Sequence, residues 1–209
     1  MAKDAPDTRQ LILRAALLRF ADAGYAATSV QQIVDDAQVS KPALYYHFKD
    51  KAGLFQALVH QALDERFRVL SGAADPGDPL PAQLEKILVA LFDFFRANRE
   101  LMRIAFATMF AAPGELPENL DYEDKCERNF EFIHSLFKRA QKNGEVSRRF
   151  DDQTMAFGFY GMANFYLVGH LVRPDCNPDH AVAKKVVELF LAGAGPESGT
   201  TKQSTQRKK

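Results

Sequence analysis

Residues Thr28 to Phe48, TSVQQIVDDAQVSKPALYYHF, restrict the fold more than any other stretch of the chain. Thr28 or Ser29 can accept hydrogen bonds from the first amides of a helix running to about Asp36, with Val30, Ile33 and Val34 facing inward. Ala37, Gln38 and Val39 then form a tight turn, and Ser40 caps a second short helix. Pro42 is tolerated in that helix because first-turn amides lack intrahelical partners anyway. The pattern is a helix-turn-helix spanning about residues 30–49. Its second helix carries Lys41, Tyr45, Tyr46 and His47, donors and aromatics suited to a DNA groove.

The rest of the chain reads as all-α. Apolar residues recur at spacings of three and four, and no long alternating run suggests a strand. A first helix is predicted from Asp7 to Gly24, with inward stripes of Leu11, Ala15 and Leu18 and of Ile12, Ala16 and Phe20, closed by Gly24 as a left-handed cap. Asp50 caps a helix reaching about Leu70, expected to continue directly from the second helix of the motif as one run over 40–70. SGAADPGDPLP, residues 71–81, is the one clear internal linker. Helical patterns resume at about 81–97, 99–111, 119–143, 151–172 and 178–194, giving about nine helices. The domains expected are 7–67 for the DNA-binding head and 68–194 for a larger helical body. A disordered tail is expected at 195–209.

Composition narrows the class. With 27 basic and 27 acidic residues the chain is neutral, but residues 37–51 carry three lysines against one aspartate, so positive charge is local to the motif. Two cysteines, Cys126 and Cys176, are too few for a disulfide framework, and no secretory leader pattern appears, which predicts a cytoplasmic protein. Residues 153–172 lack Asp, Glu, Lys and Arg and are long enough to cross a bilayer. Gly158, Gly161, Asn164, Gly169 and His170 dilute them, however, so a helix buried on two sides is the simpler reading and no membrane partner is expected.

From Thr8 to Phe55 the residues resemble the TetR family of bacterial transcriptional regulators. The resemblance rests on Thr8-Arg9, Ile12-Leu13, Ala15-Ala16, Phe20-Ala21, Gly24-Tyr25, Thr28-Ser29-Val30, Ile33, Ala37, Val39-Ser40-Lys41, Leu44-Tyr45-Tyr46-His47-Phe48, Lys51 and Leu54. The nine-helix layout is similar too. Three positions depart from the family pattern. Gln38 and Pro42 stand where glycine is usual, and Gly53 stands where a better helix former is usual. If the turn needs a left-handed residue, Gln38 costs roughly 1 kcal/mol.

In a helix-turn-helix the second helix enters the major groove, N-terminal residues first. Lys41 is then a candidate for guanine O6/N7, Ser40 for a base or phosphate, and Pro42 and Ala43 for a thymine methyl. Tyr45, Tyr46 and His47 are expected along the phosphates, with Lys51, Thr28 and Ser29 as partners near helix N-termini. Leu44 and Phe48 are core. For Tyr45 and His47 a structural role stands beside the DNA role, and for Lys41 and Lys51 a solvated lysine does.

The resemblance also implies a homodimer on a palindromic double-stranded operator, formed through about 153–172 and 178–194, and a hydrophobic small-molecule effector held between the larger helices. Phe92, Phe95, Met102, Phe106, Met109 and Phe110 crowd two of these helices. Phe130, His134 and Phe137 lie on a third, and Phe157, Tyr160, Asn164 and Tyr166 on the apolar helix. Asn164, Tyr160 or His134 would orient the ligand. Repression relieved by the effector, through a shift of the 50–70 helix, is the implied mode.

Two other classes compete with this reading. An enzyme is disfavoured, since the five histidines show no metal-ligand spacing, no nucleophile elbow or phosphate loop is present, and no cofactor is expected. The alternative is an all-helical small-molecule or protein binding module without specific DNA binding. A redox role for Cys126 or, more readily, Cys176 is a lesser expectation.

Overall fold

The computed structural model describes residues 7–112, 114–173, 175 and 178–194. Among the described residues it contains nine helices and no strand. Three helices, α1 (Thr8–Ala27), α2 (Val30–Ala37) and α3 (Lys41–His47), form a head. Six follow: α4 (Lys51–Ala73), α5 (Leu80–Ala97), α6 (Arg99–Phe110), α7 (Glu123–Asn143), α8 (Asp152–Val172) and α9 (His180–Ala194).

The local chemistry of the helix ends accounts for most boundaries. Asp7, Ser29, Ser40, Asp50 and Asp151 each accept a hydrogen bond from an amide of the helix they precede. Ser29 and Gln32 form a reciprocal capping box. At the other end of α7, Gly144 takes a left-handed conformation (φ 77°) whose amide bonds back to Ala140 and Gln141.

α4 runs through the centre and packs against α1, α5, α6 and α7, while α7 packs on α8, and α9 on α5 and α8. The core is continuous from the head to the body. Ile12, Ala16, Ile33, Leu44 and Leu54 lead into Leu58, Leu84, Phe92, Phe95, Phe137 and Phe159. The expected core roles of Leu44 and Phe48 hold.

Several boundaries differ from those read in the sequence. The run over 40–70 is not one helix. Phe48 (φ −139°, ψ 106°) and Asp50 (φ −158°, ψ −176°) are extended, because Phe48 turns inward to the core while Asp50 is needed as the cap of α4. α4 also runs to Ala73, with the Ser71 hydroxyl donating to the Phe67 carbonyl, so the linker shortens to 74–79. α7 begins at Glu123, leaving residues 117–122 as loop.

Within α1, Gly24 has φ 80° and ψ 170°, an extended conformation with positive φ. It kinks the chain where a left-handed cap was expected, and a last helical turn follows to Ala27. The Ile12–Ala16–Phe20 stripe is buried, but Leu18 is 53% exposed, because a narrower stripe suffices against one neighbouring layer. Gly53 is accommodated, since its amide donates to the Asp50 carboxylate at 2.7 Å. Among the described residues no helix is long and apolar enough to cross a membrane.

Candidate functional site

The turn of the motif is closed by the left-handed backbone of Gln38 (φ 54°, ψ 42°), with amides of Gln38 and Val39 bonded to carbonyls of Asp35 and Val34. Asp36 is fastened to Arg19 of α1 at 2.8 Å, which ties the motif to the first helix. With Leu44 and Phe48 buried, α3 turns its other face outward. Ser40, Lys41, Pro42, Tyr45 and Tyr46 are exposed, Tyr46 at 86%, and Ala43 and His47 are half-buried. The Ser40 oxygen accepts from the Ala43 amide, leaving its proton free to donate outward. His47 lies edge-on to the Tyr46 ring and tilted against Phe48. These seven residues therefore form one surface.

Three sequence candidates sit elsewhere or are already engaged. Thr28 is buried and its hydroxyl donates to the Gly24 carbonyl at 2.7 Å, so it bridges the kink and does not face outward. The Ser29 hydroxyl and amide both turn to Gln32 in the capping box. Lys51 donates to the carbonyls of Tyr25 (2.9 Å) and Thr28 (2.8 Å) and lies 4.2 Å from the Tyr25 ring centroid. Burial pulls its pKa below the ordinary lysine value. It is a cap for the end of α1, a third role beside the phosphate contact and the solvated side chain.

The aromatic and methionine candidates of the body divide into three groups. Phe92, Phe95, Met102, Phe106 and Phe137 are buried core. Phe137 packs against Phe159 and Phe190, and Phe95 against Phe106. A second group lies where α7 meets α8. Phe130 stands between His134 and Phe157, its ring 4.3 Å from that of Phe157, with Tyr160 edge-on to it. The third group faces out, with Met109 half exposed and Phe110 more so. Among the described residues, those expected to line one chamber thus fall into separate groups.

What lies between the groups is Arg66. It is only 6% exposed, and its Nη2 donates to Asn164 Oδ1 at 2.7 Å. The guanidinium carbon is 5.0 Å from the Tyr160 ring centroid, 5.9 Å from that of Phe95 and 6.0 Å from that of Phe106. Its buried Nε has no hydrogen-bond partner. Arg66 also borders a cavity of about 10 Å³, room for about one water molecule, lined by Ala62, Leu63, Met102, Ala105, Phe106 and Met109. The half-buried Cys126 thiol is pushed up in pKa by burial and drawn partly back by the Arg66 charge. Cys176 lies outside the described residues, as does the expected tail at 195–209.

Arg66 was missed by the sequence reading, although a signal for it exists. It occupies a slot in the stripe Val59, Ala62, Leu63, Arg66, Leu70, where every other member is buried and apolar. Its α4 neighbours are paired elsewhere. Asp64 accepts from Lys125 and Arg128 of α7, both at 2.7 Å, and Glu65 pairs with Arg68. Asn129 of α7 donates to the Leu63 carbonyl, so α7 holds this part of α4 on two sides.

The comparisons with known proteins match this geometry. The family model described as bacterial regulatory proteins, tetR family, matches residues 12–58, from α1 into α4. The HTH-type transcriptional repressor BepR of Brucella suis is 27% identical over 169 residues, covering 78% of this chain and 80% of its own. The HTH-type transcriptional regulator AcrR of Shigella flexneri is 35% identical over 109 residues, 50% of each chain. In fold, the chain is similar to the protein in a SmeT–triclosan complex, with a TM-score of 0.74 at 19% identity, covering 97% of this chain and 98% of that one. The sequence match to the tetR family of bacterial regulatory proteins thus falls on the helix-turn-helix and its flanking helices, and the similarity of fold extends through the helical body.

Proposed function

We propose that this protein is a ligand-responsive transcriptional repressor that binds a palindromic operator as a homodimer and is released by a hydrophobic small molecule. The observation that carries the reading is the outward face of α3. Ser40, Lys41, Pro42 and Ala43 open the helix, and Tyr45 and Tyr46 follow, all held by a buried Leu44 and Phe48. Lys41 and Ser40 address bases, Pro42 and Ala43 a thymine methyl, and Tyr45, Tyr46 and His47 the phosphates. The head spans about residues 7–67 and the effector-binding and dimerising body about 68–194.

One reading head offers too little surface for tight specific binding, which favours two. The outer face of α8 supports a dimer, since Phe157, Phe165 and Val172 are exposed along it, and Leu189 is exposed on α9. Gly161 of α8 has open space where a side chain would stand, room for a partner's helix. A two-fold pairing of α8 and α9 would cover this face and set the distance between the heads.

Release follows from a change in that distance. Since α3 and α4 are separate helices, the signal does not travel along a single rod. It passes from α4 through Lys51 to the end of α1, and from α6 through its packing on α1. In support of a small-molecule effector, the similar fold of the SmeT–triclosan complex is one that admits such a ligand.

The test is a mobility shift of the purified protein on DNA flanking its own gene, at two salt concentrations and with random competitor. A competitor-resistant shift that weakens steeply with salt is expected, because neutralised phosphates release counterions. No specific shift on that DNA or in a selection from random sequence would overturn the reading in favour of an all-helical binding module.

A further inference from the structure

The buried guanidinium of Arg66, where α4 packs against the helices of the body, restricts what the effector can be. A charged side chain withdrawn from water is normally paired, because desolvation costs more than a neutral hydrogen bond returns. Arg66 is more than nine-tenths buried, yet among the described residues no carboxylate pairs with it. Asp64 and Glu65, its neighbours in sequence, are engaged with Lys125, Arg128 and Arg68. Its compensation is the amide oxygen of Asn164 and the faces of Tyr160, Phe95 and Phe106, while Nε is left without a partner. Arginine presents a planar fork of donors that matches a carboxylate in two parallel hydrogen bonds.

Around that fork the walls are apolar. Ala62 and Leu63 of α4 face Met102, Ala105, Phe106 and Met109 of α6 across the small cavity that Arg66 borders. Two of the six are methionines, side chains that repack easily, and Met109 is half exposed at the outer end. The site therefore has a cationic inner end, an adaptable apolar wall and a direction of access.

We propose that Arg66 is the head-group site of the effector, and that the effector is an amphipathic carboxylate: an acyl or aryl acid whose carboxylate pairs with Arg66 and whose apolar part runs outward between α4 and α6 past Met102 and Met109. The inference rests on the ligand-responsive reading above and adds the charge of the ligand. It also supplies the coupling. A cavity of about 10 Å³ is too small for an acyl or aryl group, so binding must spread α4 from α6. Both helices pack on α1, so a wedge between them turns the head.

The experiment uses the full chain and a panel of straight-chain carboxylates of six to twelve carbons and 4-phenylbutyrate, each beside the corresponding alcohol. Binding is read by calorimetry, and release of the operator by mobility shift. At least one acid is expected to bind ten-fold or more tightly than its alcohol. In Arg66→Gln that acid-over-alcohol ratio should fall to near one, with alcohol binding retained. In Arg66→Met, which removes the unpaired charge and keeps the side chain's length, the ligand-free protein should melt no lower than the wild type.

A wild-type protein that takes no acid more tightly than its alcohol overturns the proposal, as does an Arg66→Gln protein that keeps the preference. If an alcohol alone releases the operator, the regulator reading stands and the anionic head group is wrong. If an acid binds but no operator is found, the head-group site stands and the regulator reading fails.

Discussion

The ammonium nitrogen of Lys51 lies 2.8 Å from the main-chain carbonyl oxygen of Thr28, and the same nitrogen bonds to Tyr25 and rests over its ring. The first residue of α4 thus closes the last turn of α1, next to the start of the recognition motif. A lysine in this position acts on the geometry of the head from inside the protein.

Lys51→Met should destabilise the free protein by about 1–3 kcal/mol, because two carbonyls lose their donor in a partly buried place. Denaturant unfolding without DNA checks it. A variant as stable as the wild type that loses only DNA affinity would return Lys51 to the phosphate-contact role.

Gln38 is the residue with a left-handed backbone among the described non-glycine positions. A side chain there costs about 1–2 kcal/mol, while glycine loses about 0.4–1 kcal/mol through the freedom of the unfolded chain. Gln38→Gly is therefore expected to stabilise by roughly 0.5–1 kcal/mol, measured as an increase in denaturant midpoint. A clear loss of stability would mean that the Gln38 side chain contributes something beyond its backbone geometry.

Burial pushes the Asp64 carboxyl up in pKa, but hydrogen bonds and charge from Lys125 and Arg128 outweigh it, leaving the group below the usual carboxylate range. A lowered folded pKa means the contribution is complete above the unfolded value near 4 and is lost as pH falls through the folded value. With the side chain nearly half exposed, screening limits it to about 1 kcal/mol or less. Asp64→Asn should be less stable than the wild type at pH 7, and the gap should narrow as the pH falls below about 4. A gap that does not change with pH would assign the loss to packing.

Lys41→Ala should cost on the order of 1–3 kcal/mol on the operator and relax preference at one base position, if Lys41 makes a bidentate contact. Tyr46→Ala, at the phosphate side, should weaken all sequences alike. Binding to a randomised operator library separates the two patterns, and an unchanged Lys41→Ala profile would remove it from the reading set.

Phe165 is 79% exposed on α8 and has no structural duty in the single chain that its exposure reveals. Phe165→Lys should leave the fold intact and shift the protein toward monomer, with operator affinity down at least ~10-fold, or about 1.4 kcal/mol. Sedimentation and a mobility shift read both. A dimeric variant with full affinity would move the interface elsewhere.

The head was legible because its signals are local. Ser29, Ser40 and Asp50 cap the helices that follow them, and Leu44 and Phe48 are core, all from neighbours within a few positions. The break at residues 48–50 was misread because helical spacing continues across it, while the inward turn of Phe48 depends on the packing of α1 and α4.

The apolar face of α8 was also visible in sequence, as a charge-free run over 153–172. Which of its residues line a chamber was not, because periodicity assigns a side to each helix and not a partner to each side. Folding placed Phe130 with Phe157 and Phe137 with Phe159, in separate clusters.

By itself, then, the sequence determined the helical class, the helix-turn-helix and its outward residues, since capping, turn geometry and 3.6-residue periodicity act over short distances. Tertiary structure alone decided the roles of Lys51 and Arg66. Their partners at Thr28, 23 residues away, and at Asn164, 98 residues away, are brought into reach only by packing. A lysine or arginine in sequence reads as surface until the fold shows what surrounds it.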